Sequence, residues 1–163
     1  MKIFAIHFVV LIMCSCANTY STAQLKDGVI DKNIALLNAT ASSWVPGRAN
    51  ATSGTNYLFS FLLKTNKPLR FDSAWLKNGA IKMNVYSIKD NEANTQGPFK
   101  KGDTLYVKGA SIVKYEGKAK QTHNVANPPK KFKGEALLRY WVGKHPNYVE
   151  IQTIAHKTVT RLL

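Results

Sequence analysis

The chain predicts an all-β fold, a two-layer antiparallel β-sandwich, and three observations carry that reading. The first is the stretch Gly54 to Gly79, where Tyr57, Phe59, Phe61 and Leu63, then Leu69, Phe71, Ser73 and Trp75, fall on alternate positions. Successive side chains of a strand point to opposite faces, so a period of two is what a half-buried strand needs. The second is turn chemistry between apolar runs, at Asn66-Lys67-Pro68, Asn78-Gly79, Lys101-Gly102-Asp103 and Gly143 to Asn147. The third is that no segment beyond the N-terminal apolar run shows a convincing helical period.

Residues Met1 to Cys16, MKIFAIHFVVLIMCSC, have the form of a short export signal. Lys2 supplies the positive start, and Ile3 to Met13 the apolar centre, which falls short of the ~18 residues a spanning helix needs. Met13-Cys14-Ser15-Cys16 resembles a bacterial lipobox, with small Ser15 just before the cysteine. The resemblance implies cleavage before Cys16 and a diacylglyceryl group on its sulfur. Ser21-Thr22-Ala23 offers the alternative of cleavage after Ala23. No cysteine follows Cys16, so the domain is expected to stand on its hydrophobic core rather than on disulfides. The chain divides accordingly into a signal peptide (1–15), the lipidated Cys16 with a flexible tether (16–33), and the sandwich (34–163). Uncharged Ala17 to Ser21 lacks the acidic residues carried there by surface-displayed lipoproteins of Bacteroidota-type bacteria. That favours an outer-membrane address facing the periplasm over surface exposure.

About seven strands are expected. Asn33 to Leu37 is ambiguous between a strand and a helical turn, and Ser43 to Gly47 reads as an edge strand ended by Pro46-Gly47. Gly54 to Leu63 and Leu69 to Leu76 form a central antiparallel pair, with Phe59, Phe61, Phe71 and Trp75 on one buried face. Asn78-Gly79 leads into a strand with Ile81, Met83 and Val85 on one face. Lys89 to Lys101 is a polar loop. In Thr104 to Val113, Gly109 suggests a bulge or bend. Tyr115 to Gly134 is irregular, with Pro128-Pro129 excluding a strand, and Glu135 to Val142 pairs with Tyr148 to Ala155. Trp75 and Tyr140 resemble the immunoglobulin-like packing pair, without its disulfide; a small barrel is the rival architecture.

Ser43-Trp44-Val45-Pro46-Gly47, Gly54-Thr55-Asn56-Tyr57, Phe71-Asp72-Ser73-Ala74-Trp75, Lys101-Gly102-Asp103 and Lys133-Gly134-Glu135-Ala136-Leu137-Leu138 also carry a wider likeness. Through them the segment Trp44 to Ile154 resembles a group of small Bacteroidota-type exported lipoproteins with no assigned activity. The resemblance implies the fold and the address. It brings no catalytic residue, because the shared motifs are turn and core signals.

The balance of 23 Lys+Arg against 9 Asp+Glu, a formal net charge of +14, points to polyanionic partners. The densest basic stretch is Lys114 to Lys133, and Lys118, Lys120, Lys130, Lys131 and Lys133 are its candidate anion contacts. An exported, anchored protein argues against nucleic acid as the natural partner. His123, His145 and His156 have no second ligand at metal spacing, and no G-x-S-x-G, Walker-type or H-E-x-x-H motif is present. Asp72 is placed opposite the aromatic stripe, within reach of Arg70 or a lysine of a neighbouring strand. No catalytic, metal or cofactor residue is assigned. The expectation is a membrane-anchored, non-enzymatic binding or accessory module of the bacterial cell envelope, contacting an anionic polymer or a partner protein. A small envelope hydrolase with an unrecognised site is the alternative. An aromatic surface patch would support the first, and a deep polar pocket near Asp72 or His123 the second.

Overall fold

The computed structural model describes residues 31–47, 52–77, 79–89, 92–94, 98–113, 115–116, 119–120 and 127–162, and no helix occurs among them. The strands are β1 (Ile34–Pro46), β2 (Ser53–Leu63), β3 (Leu69–Leu76), β4 (Gly79–Lys82), β5 (Asn84–Lys89), β6 (Glu92–Asn94) and β7 (Thr104–Val113), then β8 (Tyr115–Glu116), β9 (Ala119–Lys120), β10 (Ala136–Val142), β11 (His145–Ile151) and β12 (Ala155–Leu162). A six-stranded sheet runs β12-β1-β2-β7-β5-β6, a four-stranded sheet runs β11-β10-β3-β4, and β8 pairs with β9. The two large sheets pack face to face as the two-layer sandwich that the alternation predicts. Ten strands, rather than about seven, make up the two layers.

The central aromatic strands do not form a hairpin. β2 belongs to the larger sheet and β3 to the smaller, with Asn66-Lys67-Pro68 carrying the chain between layers. Their stripes meet across the core instead. Phe61 and Phe71 stack with ring centroids 5.2 Å apart, and Phe71 lies 5.6 Å from Tyr140. Residue period reveals which face is buried but not which strand is the hydrogen-bonded neighbour, so a crossing between layers and a hairpin look alike in the sequence.

Trp75 does not share that core. β10 pairs with β3 in a register that sets Arg139 opposite Ser73 and Tyr140 opposite Phe71, leaving Asp72 as an extra residue. Such a bulge shifts the inward positions by one. Ala74 therefore enters the core beside Phe71, while Ser73 and Trp75 turn to the outer face. Trp75 is only 6% exposed, yet it lies outside the core cluster that holds Phe59, Phe61, Phe71 and Tyr140. The expected pairing of Trp75 with Tyr140 in one core is thus replaced by two rings on opposite faces.

Ile34 to Leu37 and Ser43 to Pro46 join in one long strand, β1, with Leu37 as an extra, exposed residue. It is not an edge: β2 pairs on one side and β12, in parallel, on the other. The last strand expected from the sequence is really two, because β11 ends at Ile151 and β12 begins at Ala155. Ile81, Met83 and Val85 do face the core, although the chain changes sheets at Met83. Gly109 sits in an unbroken β2–β7 register rather than at a bulge. Its bare Cα makes room for that crossing, since a Cβ there would lie 2.5 Å from the Met83 sulfur. The polar loop before Lys101 contains β6.

Candidate binding surface

The outer face of the smaller sheet is built from the outward positions of β3, β10 and β11. Three rows cross it: Trp75–Leu137–Glu150, Ser73–Arg139–Tyr148, and Arg70–Trp141–Pro146. A solvated face of an antiparallel sheet ordinarily carries polar side chains. This one carries three large rings with cations set between them. Leu137 and Trp75 form an almost inaccessible floor, Trp141 and Tyr148 are half-buried, and Arg70 is exposed.

Arg139 is the centre of the array. Its Nε donates to Asp72 Oδ1 at 2.8 Å, and one terminal nitrogen donates to Asp72 Oδ2 at 3.0 Å and to Ser73 Oγ at 3.2 Å. The two-point match of a planar guanidinium to a carboxylate fixes both groups in orientation. Trp141 Nε1–H donates to the same Asp72 Oδ2 at 2.8 Å, which pins the indole as well. The bulge that turned Trp75 outward is what leaves Asp72 free to serve both neighbours on β10. Burial pushes the Asp72 carboxyl up, but hydrogen bonds from Arg139 and Trp141 and the guanidinium charge outweigh it and hold it below its ordinary range. The same pairing pushes Arg139 up.

The cations lie against the rings. The Arg139 guanidinium is 5.4 Å from the Trp75 ring centroid and 5.6 Å from that of Trp141. Arg70 approaches Trp141 at 5.5 Å, and the Lys130 ammonium approaches Tyr148 at 5.6 Å. Exposed contacts of this kind contribute ~0.5–1 kcal/mol each. Arg139 is neutralised by Asp72, whereas Arg70 and Lys130 have no ion-pair partner among the described residues.

The segment that leads from Lys130 into β10 is tied to β11 at its end. Glu150 Oε1 accepts the backbone N–H groups of Lys133 at 2.8 Å and Gly134 at 2.6 Å, and these bonds hold its carboxyl below the usual range. A Cβ on Gly134 would sit 2.3 Å from the Ile151 carbonyl oxygen, so only glycine permits this approach. A smaller cluster lies on the larger sheet, where Tyr86 and Tyr106 stack at 5.3 Å and the Lys108 ammonium is 4.5 Å from the Tyr86 ring.

Of the candidate anion contacts, Lys130, Lys131 and Lys133 are exposed, and Lys130 is the one that joins the aromatic face. Lys120 is in β9 opposite Tyr115. Lys118, His123 and Cys16 lie outside the described residues. Asp72 takes Arg139 as its partner, not Arg70 or a lysine. His145 and His156 are both exposed. Among the described residues no three His, Cys, Asp or Glu side chains gather as a metal site, and no helix is long and apolar enough to cross a membrane. Arg139 and Trp141 went unmarked in the sequence because Leu137-Leu138-Arg139-Tyr140-Trp141 is rich in large side chains on both faces, and Arg70 stands out there only as a possible partner of Asp72. Compared with protein-family models, curated proteins and solved structures, the chain matches none.

Proposed function

We propose that the protein is a non-enzymatic binding module of the bacterial cell envelope, lipid-anchored through Cys16 at the outer membrane and contacting its partner through the outer face of the smaller sheet. The observation that carries the contact surface is the Asp72 clamp, which fixes Arg139 and Trp141 in one geometry. Groups already held in their working arrangement lose less freedom on binding. Trp, Tyr and Arg are also the side chains that dominate binding surfaces when truncated. The anchor is supported by the signal-like run ending at Ser15-Cys16. Two or more acyl chains at ~0.8 kcal/mol per buried CH₂ would hold the domain stably at a membrane.

Two measurements test this function. Protein extracted from membranes should have the intact mass of a chain beginning at Cys16 plus acyl groups. A chain beginning at Gln24 without added mass overturns the anchor. A photo-crosslinker placed at Arg70 should give adducts in native membranes, and the same group at exposed Asn56, on the other sheet, should give few. Equal labelling at both positions, or none at Arg70, overturns the assignment of the face.

A further inference from the structure

We propose that this face takes an acidic polysaccharide, a polymer whose sugar rings carry carboxylates; the proposal rests on the binding-module function and names its ligand class. The chain as a whole carries 23 basic and 9 acidic residues, so a polyanion is the partner its charge complements. On the face itself, two cations that form no ion pair among the described residues stand on opposite flanks, Lys130 with only the longer-range attraction of Glu150. Arg70 lies on β3 and Lys130 beside Tyr148 on β11, with β10 between them. Adjacent strands are spaced by ~4.8 Å, so the flanks are roughly 10 Å apart, too far for one carboxylate to serve both. A repeating anion can reach each in turn.

The half-buried rings of Trp141 on β10 and Tyr148 on β11 lie across the same face. A sugar ring presents C–H groups that pack on an aromatic surface while its hydroxyls stay in water. An acidic peptide offers the charges without such rings, and a neutral glucan the rings without the charges. Arg139 is not a free charge for the ligand, because Asp72 neutralises it and holds its Nε–H and one terminal nitrogen. It positions Trp75 and Trp141 instead. Arg70 is the residue expected to meet a carboxylate, since its planar donors match that geometry two at a time. Lys130 contributes a less directional charge from the other side.

The test uses the full-length protein in neutral detergent micelles, titrated with polygalacturonate while tryptophan fluorescence is followed. Its fully methyl-esterified form, poly-glutamate and single-stranded DNA are the companion probes. Polygalacturonate should bind at least about tenfold more tightly than each companion, the equivalent of ~1.4 kcal/mol. Arg70→Gln and Lys130→Gln change exposed side chains with one ring contact each, so both variants should stay folded, with the thermal transition lowered by no more than about 2–4 °C. Each should weaken polygalacturonate binding and make its salt dependence shallower, because fewer charges are paired. Poly-glutamate binding as tightly as polygalacturonate would show that charge alone is read and would overturn the proposal. Tighter binding of DNA would overturn it too, as would unchanged affinity in both variants. Absence of binding to any of the four polymers, with crosslinking at Arg70 intact, would remove the polysaccharide and leave the binding module standing.

Discussion

Asp72 occupies the bulged position of β3, and its carboxylate takes two hydrogen bonds from Arg139 and one from Trp141. Because its folded-state acidity is shifted below the unfolded value of ~3.9, its contribution to stability is fully present above that value. The contribution is lost as pH falls through the lower folded value. Urea unfolding measured from neutral pH down to about pH 2 should show stability declining below about pH 4, and Asp72→Asn should flatten part of the decline. Glu150 is shifted in the same direction, so some slope should persist. Tyr140 is a different polar case. Its ring is buried in the core, while its hydroxyl donates to Asp31 and accepts from Asn33 Nδ2 at 3.2 Å. Burial pushes that hydroxyl up, and it stays protonated. Tyr140→Phe should cost ~1–2 kcal/mol in equilibrium unfolding, since it takes the acceptor from the buried Asn33 amide and the hydroxyl donor from Asp31 Oδ2, while Asp31 Oδ1 keeps the backbone N–H groups of Asn33 and Ile34. The sequence exposes Asp72 as an outward carboxylate but hides its partners, which lie 67 and 69 residues further along the chain. Asp31 and Asn33, in the span read as tether, likewise show no sign in the sequence that they meet Tyr140.

At the level of strands, alternation located the layers and missed the bulge. The run Leu69 to Leu76 has large residues at both parities beyond Asp72, so nothing in it marks where the inward set changes. β10 is harder still, because its inner Leu138 and Tyr140 and its outer Leu137 and Trp141 are all large. A strand apolar on both sides looks the same whether its second face meets another layer or a ligand. The structure shows which face enters the core, and mutation can check that assignment. Phe61→Ala removes a ring from the centre of the core and should cost ~3–5 kcal/mol in unfolding. Gly134→Ala tests the approach to β11. A Cβ 2.3 Å from the Ile151 carbonyl must displace backbone, with an expected cost of ~1–3 kcal/mol. Unfolding of the alanine variant at the parent's denaturant midpoint would show that the close approach does not exist.

For the whole molecule, the connectivity has a kinetic consequence. β1 and β12 pair in parallel, with Thr40 opposite Ala155 and Pro46 opposite Leu162, so nearly the whole described domain intervenes between neighbouring strands. β2 likewise finds β7 rather than β3, and β3 finds β10. Local turn signals predict hairpins well, as at Gly143 between β10 and β11, where a positive φ of 60° closes the turn. They carry no information on pairings of long separation, which is why the parallel pair could not be read from the chain. Such pairings also delay folding, because the entropy of closing each loop is lost before its contacts form. The domain should therefore refold on the millisecond-to-second scale typical of sandwiches rather than in microseconds. Stopped-flow refolding followed by tryptophan fluorescence measures this directly. Ala155→Pro and His156→Pro, tested singly and together, should weaken the β1–β12 pair, since successive N–H groups of β12 point alternately toward β1 and away from it and one of the two serves the ladder. If that pair closes late, the variants should chiefly unfold faster, with refolding rates near the parent's. Slowed refolding with unchanged unfolding would place the parallel pair in the folding nucleus instead, and the two terminal strands of the sandwich would have to meet first.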